Sequence, residues 1–334
     1  MLAAIIALPV TLGALNMIPL KTNGTVESNS VSYFEENARI KTSKQYATKT
    51  VKVPAFNSIQ MNSIVDVVYR QGKQSVTLKC PDNCMKYMKC EVENGVLVIG
   101  FRRKVSNKNN MRFIAYVSSP ELKSVTSSGV ADFTTQAALS VGDFKVRLSG
   151  TGDFDCSDIK GKSVDLIQSG TGDISVNNIN APKVELKASG TGDMDVNGNI
   201  KCSDIIIRNG GTGDLEIKRK VECNTISLSN KGTGDIRIGR LDSETCTTRG
   251  AGTGDIKISS FKGTRLESKE GGTGSSRIMN VNADRVILIG SGCADIEISG
   301  KWNHISTWSD RTASVIVNGM RVKNRSSEEY QFQF

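Results

Sequence analysis

The sequence has little proline, few aromatic residues and almost no histidine, and each shortage narrows the structures and chemistries available to it. The 334 residues include 6 Pro, 5% aromatic residues and a single His, His304. Beyond the N-terminus there is no apolar stripe at helical spacing, which argues against a helical protein. With one histidine in the whole chain, neither a histidine-dependent active site nor a zinc centre of mixed Cys and His ligands is favoured.

Glycine is abundant, and short alternations of Val, Ile and Leu supply most of the apolar residues. The chain contains 32 Gly. Apolar residues at every second position are typical of strands with one buried face, and glycine is typical of the turns between them. This composition predicts an all-β protein with many short strands.

One turn, SGTGD at residues 149–153, recurs along the chain at a nearly constant spacing. Its first glycine stands at positions 150, 170, 190, 211, 232, 252 and 272, with variant turns at 129 and 292, so that every step is 20 or 21 residues. A fixed short period is typical of a solenoid, in which stacking buries an apolar face that one unit cannot bury alone. The repeat predicts a single-stranded parallel β-helix with coils of about 20 residues and Gly-Thr-Gly-Asp turns. A right-handed path is expected from the handedness of parallel crossovers.

The pattern divides the chain into five segments. Residues 1–20 are apolar and predict a signal peptide or an N-terminal anchor, and residues 21–50 predict a linker. Residues 51–125 lack the repeat and are expected to cap the solenoid. Residues 126–320 contain the β-helix repeats, and residues 321–334 are expected to form a C-terminal cap strand.

The aspartate of the turn admits two interpretations. Glycine suits a tight corner, and an aspartate can accept hydrogen bonds from the amides that the corner frees, so the favoured interpretation is a repeated bend. Alternatively, stacked carboxylates could form a ladder that binds cations, although the spacing differs from that of calcium-binding nonapeptides. The candidate ladder consists of Asp153, Asp173, Asp193, Asp214, Asp235 and Asp255.

The positive charge of the protein is concentrated before the repeats. Residues 21–125 contain 17 Lys and Arg against 8 Asp and Glu, whereas residues 126–334 contain 26 of each class. The densest run, FRRKVSNKNNMR at 101–112, could contact an anionic glycan, a lipid headgroup or nucleic acid, and the alternative is a solvated loop. Nucleic acid is disfavoured because few aromatic residues interrupt the run. The candidate binding residues are Arg102, Arg103, Lys104, Lys108 and Arg112.

Two groups among the eight cysteines are of interest. Cys80, Cys84 and Cys90 lie together in KCPDNCMKYMKC, where a disulfide such as Cys80–Cys90 would be compatible with export. A zinc site is disfavoured because no second CxxC pair accompanies them. Cys202 and Cys223 occupy the same position in adjacent coils and are expected to stack, with poor geometry for a disulfide. No metal or cofactor is predicted.

The lead-in and the repeats together resemble a known family. The segments VPAFNSIQMNSIVDVVYRQGKQSVTLKC, CEVENGVLVIGF and FIAYVSSPELKSVTSSGVADF, followed by the glycine turns, resemble the head GIN domain of putative auto-transporter adhesins. The resemblance covers residues 51–320. It implies an exported bacterial protein with a fold similar to pectin-lyase-like β-helices, without their catalytic set, and a role in cell adhesion.

These observations favour a binding protein over an enzyme. The coils barely vary in length, so no long loops wall a substrate groove, and the recurring carboxylates have an architectural explanation. We expect a non-catalytic protein of the periplasm, the outer-membrane surface or the extracellular space, with a surface glycan or an envelope or host protein as partner. The alternatives are an envelope scaffold and a polysaccharide-processing enzyme. Self-association is compatible with either role.

Overall fold

The computed structural model describes residues 39–310 and 312–322, which form a β-solenoid of about 10 turns. Within this part of the chain there are 28 strands and one short 3₁₀ helix, Asp82–Tyr87. None of its helices is long and apolar enough to cross a membrane. The all-β fold predicted from composition is confirmed.

The strands that precede the regular coils share no common length or spacing. They are β1 (Ile40–Lys41), β2 (Tyr46–Thr50), β3 (Ser58–Met61), β4 (Asp66–Gln71), β5 (Ser75–Pro81), β6 (Met88–Glu93), β7 (Val96–Phe101), β8 (Val105–Ser106) and β9 (Ile114–Ser119).

The strands of the regular coils are followed by a short terminal hairpin. The coil strands are β10 (Ser124–Ser127), β11 (Phe133–Thr135), β12 (Leu139–Ser140), β13 (Asp143–Leu148), β14 (Phe154–Lys160), β15 (Ser163–Gln168), β16 (Ile174–Asn180), β17 (Lys183–Ala188), β18 (Met194–Val196), β19 (Ile200–Lys201), β20 (Asp204–Asn209), β21 (Leu215–Asn230), β22 (Ile236–Gly250), β23 (Ile256–Ile258), β24 (Phe261–Glu270), β25 (Ser276–Gly290) and β26 (Asp295–Ser309). The hairpin consists of β27 (Ser314–Val317) and β28 (Met320–Arg321).

Each coil strand pairs in parallel with its equivalent in the coils on either side. Val164 lies opposite Val184, which in turn lies opposite Ile205 one coil further on. The same register holds after the turn, where Ile174 lies opposite Met194. Because the register keeps inward residues over inward residues, apolar side chains form continuous columns inside the solenoid. The predicted parallel β-helix is confirmed.

The glycine of the turn is required by the close approach of neighbouring coils. A Cβ atom on Gly211 would lie 2.1 Å from the carbonyl oxygen of Gly190, and one on Gly170 would lie 2.0 Å from that of Gly150. No side chain can be accommodated at such a distance from backbone. Gly210, directly before Gly211, has no atom within 4 Å of the corresponding point.

One carboxyl group lies inside the core among hydroxyl groups. Glu270 is 3% exposed, and its Oε1 accepts hydrogen bonds from Ser268 Oγ at 3.3 Å and Thr248 Oγ1 at 3.4 Å. Gly250 leaves room for the carboxylate, since a Cβ there would lie 1.7 Å from Glu270 Oε2. Burial raises the pKa of Glu270 to about 7.

The region before the coils closes the start of the stack with antiparallel strands. β3 and β4 pair in parallel with β10 and β11, and so form the first coil. On their other side they pair in parallel with β7 and β9, which then pair with the antiparallel strands β6 and β5. A parallel edge that would otherwise expose unpaired backbone groups is thereby covered.

The described part of the predicted linker is structured. Strand β2 pairs antiparallel with β5, and β1 pairs in parallel with β8, so residues 40–41 and 46–50 belong to the sheet system and not to a linker. The composition of this segment is polar, but its backbone is held by non-local hydrogen bonds that composition does not reveal. The predicted leader at 1–20 and residues 21–38 lie outside the described residues.

The other end of the stack terminates in the β27–β28 hairpin. β27 pairs in parallel with β26, and the chain then reverses at Asn318 and Gly319, which have φ values of 49° and 78°. Of the predicted cap strand 321–334, only Arg321 and Val322 lie in the described part of the chain. The Val322 amide donates to the Val315 carbonyl oxygen at 2.8 Å.

Candidate functional site

A cleft with basic walls lies beside the first coil, where β7 ends. Its volume is about 510 Å³, and it is lined by Ser63 and Ile64 of the first turn, by residues 101–105 and by Arg39. Backbone hydrogen bonds fix the lining segment, because the Arg102 amide donates to the Tyr87 carbonyl at 2.9 Å and the Ile40 amide donates to the Lys104 carbonyl at 3.0 Å. The parallel β1–β8 pair places Arg39 next to this segment.

The four cations of the cleft differ in their partners. The Arg102 guanidinium donates to the Glu91 carboxylate, and the Arg103 guanidinium lies 5.6 Å from the centre of the Tyr87 ring. Within residues 39–310 and 312–322, Arg39 and Lys104 form no ion pair. Two cationic side chains are therefore available to an anionic ligand.

Positive charge also surrounds Tyr87, whose ring lies beside Arg103 of the cleft. Lys86 lies over the Tyr87 ring with its Nζ 5.0 Å from the ring centre. The pKa of Tyr87 is lowered, first by the hydrogen bond with Lys86 and then by the neighbouring charges of Lys86 and Arg103. Cations around a phenol favour its anionic form, and they would favour a bound anion in the same way.

The structure brings together some of the predicted basic residues and separates others. Arg102, Arg103 and Lys104 line the cleft. Arg112 does not, because its guanidinium lies 3.7 Å from the Asp66 carboxylate, and Lys108 belongs to the loop after β8 and is not among the lining residues. Arg39 was missed by sequence reasoning, since only the β1–β8 pairing brings it to residues more than 60 positions away.

The aspartates of the turns form a chain of hydrogen bonds along the stack. The Asp173 amide donates to Asp153 Oδ1 at 2.9 Å, and the Asp193 amide donates to Asp173 Oδ1 at 2.7 Å. The same bond links every later pair as far as Ser275, whose amide donates to Asp255 Oδ1. Each carboxylate therefore satisfies an amide of the following coil, and this arrangement supports the interpretation as a bend.

The second oxygens of these carboxylates have different surroundings along the chain. Asp235 Oδ2 accepts from Arg237 Nη2 at 2.6 Å and from Lys257 Nζ at 3.0 Å, and the pKa of Asp235 is lowered despite its burial. No basic side chain pairs with Asp153 or Asp173 in the part of the chain that the structure describes. The described residues contain no group of three His, Cys, Asp or Glu side chains suited to hold a metal ion. The cation ladder stays a prediction.

All eight cysteines lie in the described residues and are unpaired thiols. The Cys80–Cys90 disulfide that would be compatible with export is therefore not formed in this structure. Cys202 and Cys223 do lie together in adjacent coils, as the repeat predicts. The pKa of the Cys223 thiol is raised, first by its hydrogen bond with Cys202 and then by burial.

The family to which this architecture belongs follows from its sequence pattern. The sequence model of one protein family, described as putative auto-transporter adhesin, head GIN domain, matches residues 55–177 and 165–273 of the chain. The chain belongs to this family. The two matches overlap and together extend from the lead-in strands into the glycine-turn coils. The family is described as one of putative auto-transporter adhesins, which indicates a protein of the cell surface or an exported protein.

Solved structures of two putative adhesins are similar to this chain. A putative adhesin from Parabacteroides merdae is 19% identical, with a TM-score of 0.54, and the match covers 84% of this chain and 98% of that chain. A putative adhesin from Parabacteroides distasonis is 17% identical, with a TM-score of 0.45 and the same coverage of 84% and 98%. At 19% identity, the similarity to the Parabacteroides merdae protein shows the fold alone. No curated protein matches the chain.

Proposed function

We propose that this protein is an exported, non-catalytic adhesin that binds an anionic group of a surface glycan or protein in the basic cleft. One observation carries the proposal: Arg39 and Lys104 converge on a cleft of about 510 Å³ without forming an ion pair with any described residue. Cations held in a concave site attract an anion more strongly than cations on an open surface, because part of the surrounding water is excluded.

The residues that line the cleft are also held in place by neighbouring contacts. The backbone on both sides of it is fixed by sheet hydrogen bonds, and the Arg102–Glu91 and Arg103–Tyr87 contacts orient the remaining two cations. A carboxylate or sulfate group would meet Arg39 and Lys104 directly. Arg102 would then act mainly through its charge, because it already donates to Glu91.

A binding assay with matched variants tests this proposal. The purified protein is offered carboxylated, sulfated and neutral glycans at low and high salt. We expect selective binding of the anionic glycans, weakened by salt. The double variant R39Q/K104Q should lose at least about 100-fold in affinity, because the two charge-assisted hydrogen bonds that it removes contribute about 1.5 to 3 kcal/mol each.

The control removes the same charge elsewhere. Lys160 and Lys162 are exposed on a coil and form no ion pair with any described residue. K160Q/K162Q should therefore change the affinity by less than about twofold, as expected for exposed charges outside a site. Equal losses in the two double variants would show non-specific electrostatic binding, and no loss in R39Q/K104Q would remove the cleft from the binding site.

A further inference from the structure

Three sulfur-containing side chains lie close to one another where the 3₁₀ helix joins β5. Cys80 lies near the end of β5, and Cys84 and Met85 lie in the helix. Both cysteines are 0% exposed, and Met85 is half-buried. Cys80 Sγ lies 4.0 Å from Met85 Sδ, and Cys84 lies close enough to Cys80 to contribute, after burial, to the raised pKa of the Cys80 thiol.

We propose that Cys80, Cys84 and Met85 form a binding site for a soft monovalent metal ion, with Cu(I) as the ion that the ligands favour. Thiolate and thioether sulfurs are soft ligands, and together they select Cu(I) over the harder divalent ions. Zinc would need a fourth ligand of the Cys, His or carboxylate type. Within residues 39–310 and 312–322 no group of three such side chains suits a metal ion.

The spacing of Cys80 Sγ and Met85 Sδ suits such an ion. Metal–sulfur bonds of about 2.3 Å, arranged in a trigonal plane, would place the sulfur atoms roughly 4 Å apart. The observed separation of 4.0 Å between Cys80 Sγ and Met85 Sδ has this value. Binding would therefore require little movement of these two side chains.

The chemistry of binding is an exchange of protons for the metal ion. Cu(I) would displace one proton from each thiol, two protons would leave to solvent, and the bound site would carry a single negative charge. No electron is transferred. The two thiol hydrogens now make weak bonds at 3.4 Å, from Cys80 to the Pro81 carbonyl and from Cys84 to Asn83 Oδ1, and metal binding would replace both.

The segment that carries the ligands is anchored through the side chain of Asn83. Asn83 accepts from the Ser43 amide at 3.0 Å and donates through Nδ2 to the Lys41 carbonyl at 2.7 Å, which ties the 3₁₀ helix to the end of β1 and the residues that follow it. Such anchoring holds ligands in place before the ion arrives. Met85 is half-buried, so one of the three ligands is in contact with solvent although both thiols are buried.

Titration of the reduced, full-length chain with Cu(I) under anaerobic conditions, against a chromophoric Cu(I) chelator, tests the proposal. We expect one ion per chain and a copper X-ray absorption spectrum with sulfur ligands alone. C84S should weaken binding by more than about 100-fold, beyond the roughly 10- to 100-fold of second-shell changes. M85L should weaken it about tenfold. M85L conserves volume, so a folding defect is not expected to confuse the result.

The control variant is C293A, which removes an exposed thiol far along the sequence and should leave stoichiometry and affinity unchanged. The proposal is overturned if the wild-type chain does not compete with the chelator, or if M85L and C84S both bind as the wild type does. Binding that is lost in C293A would likewise overturn it, since the ion would then be held by the exposed thiol.

Discussion

In residues 124–309 the coil strands pair in parallel with equivalents about 20 residues away, whereas residues 39–123 mix parallel and antiparallel pairs without a repeat. The outward charges of the coils largely neutralise one another, as Lys257 does between Asp235 and Asp255. In the lead-in, Arg39 and Lys104 have no such partner among the described residues. In the repeats, the side chains pack or pair with their equivalents in neighbouring coils. In the irregular region, segments that differ in sequence lie side by side, and their side chains can form a binding site.

The largest expected effect lies in the stack, at the turn glycines. G211A would place a Cβ atom 2.1 Å from a carbonyl oxygen of the preceding coil, so we expect a loss of about 3 kcal/mol or more in the free energy of unfolding. G210A, one residue earlier, meets no atom within 4 Å and should be neutral or stabilising by about 0.5 kcal/mol. Urea denaturation measures both. Similar values for the two variants would show that coil contact does not dictate the glycine.

The next effect concerns the buried carboxyl group of the stack. The pKa of Glu270 is raised from 4.5 to about 7. The protonated, buried side chain therefore adds its full contribution to the free energy of unfolding below pH 4.5. This contribution is lost as the pH rises through 7. The difference between these two pKa values corresponds to about 3 kcal/mol of folding stability at most. The free energy of unfolding of the wild type should therefore fall as the pH is raised from 5 to 8.

The matched variants E270Q and E216Q isolate this contribution. E270Q should flatten the pH dependence and be more stable than the wild type at pH 8, because a neutral amide needs no proton to remain buried. E216Q changes a carboxylate on the outer face and should leave the slope unchanged. A slope that survives in E270Q would assign the pH dependence to another group.

A smaller effect distinguishes the bend from the cation ladder. D173A removes the acceptor of the Asp193 amide and should cost about 1 kcal/mol, whereas D173N keeps an acceptor oxygen and should cost less than half of that. Excess calcium should leave the melting temperature of the wild type unchanged. If calcium stabilises the wild type and D173N abolishes that gain, the ladder binds cations.

The smallest effect is expected at the basic residues that lie away from the cleft. K108Q/R112Q should change the affinity for an anionic glycan by less than about twofold, because Arg112 is already engaged with Asp66. The same assay that measures R39Q/K104Q gives the comparison. A loss as large as that of R39Q/K104Q would extend the binding surface beyond the cleft.

Local repetition made the stack predictable from sequence. The spacing of Gly150, Gly170 and Gly190 carries the coil length directly, and the alternation around them places each apolar side chain inward. The hydrogen-bond partner of each turn aspartate was harder to predict from the sequence. Each carboxylate accepts a hydrogen bond from an amide of the next coil, as Asp173 does from the Asp193 amide at 2.7 Å. This contact depends on the distance between stacked coils.

The site was only partly predictable, because it depends on pairings between distant segments. Charge density located Arg102 and Lys104, but Arg39 arrives through a two-residue strand pair that leaves no periodic signal. The same run of sequence contains Arg112, which the chain directs to Asp66. Likewise, the polar setting of Glu270 depends on Thr248 one coil away, and sequence separation alone does not indicate that contact.

The chain of carboxylate-to-amide bonds makes neighbouring coils interchangeable. Asp153 meets the Asp173 amide in the same way as Asp173 meets the Asp193 amide, so deleting or duplicating one whole coil would rejoin the chain with an identical contact. The distance between the basic cleft and the terminal hairpin could then change in steps of about 4.8 Å without a new fold. Evolution can therefore adjust the reach of such a protein by copying a segment of about 20 residues.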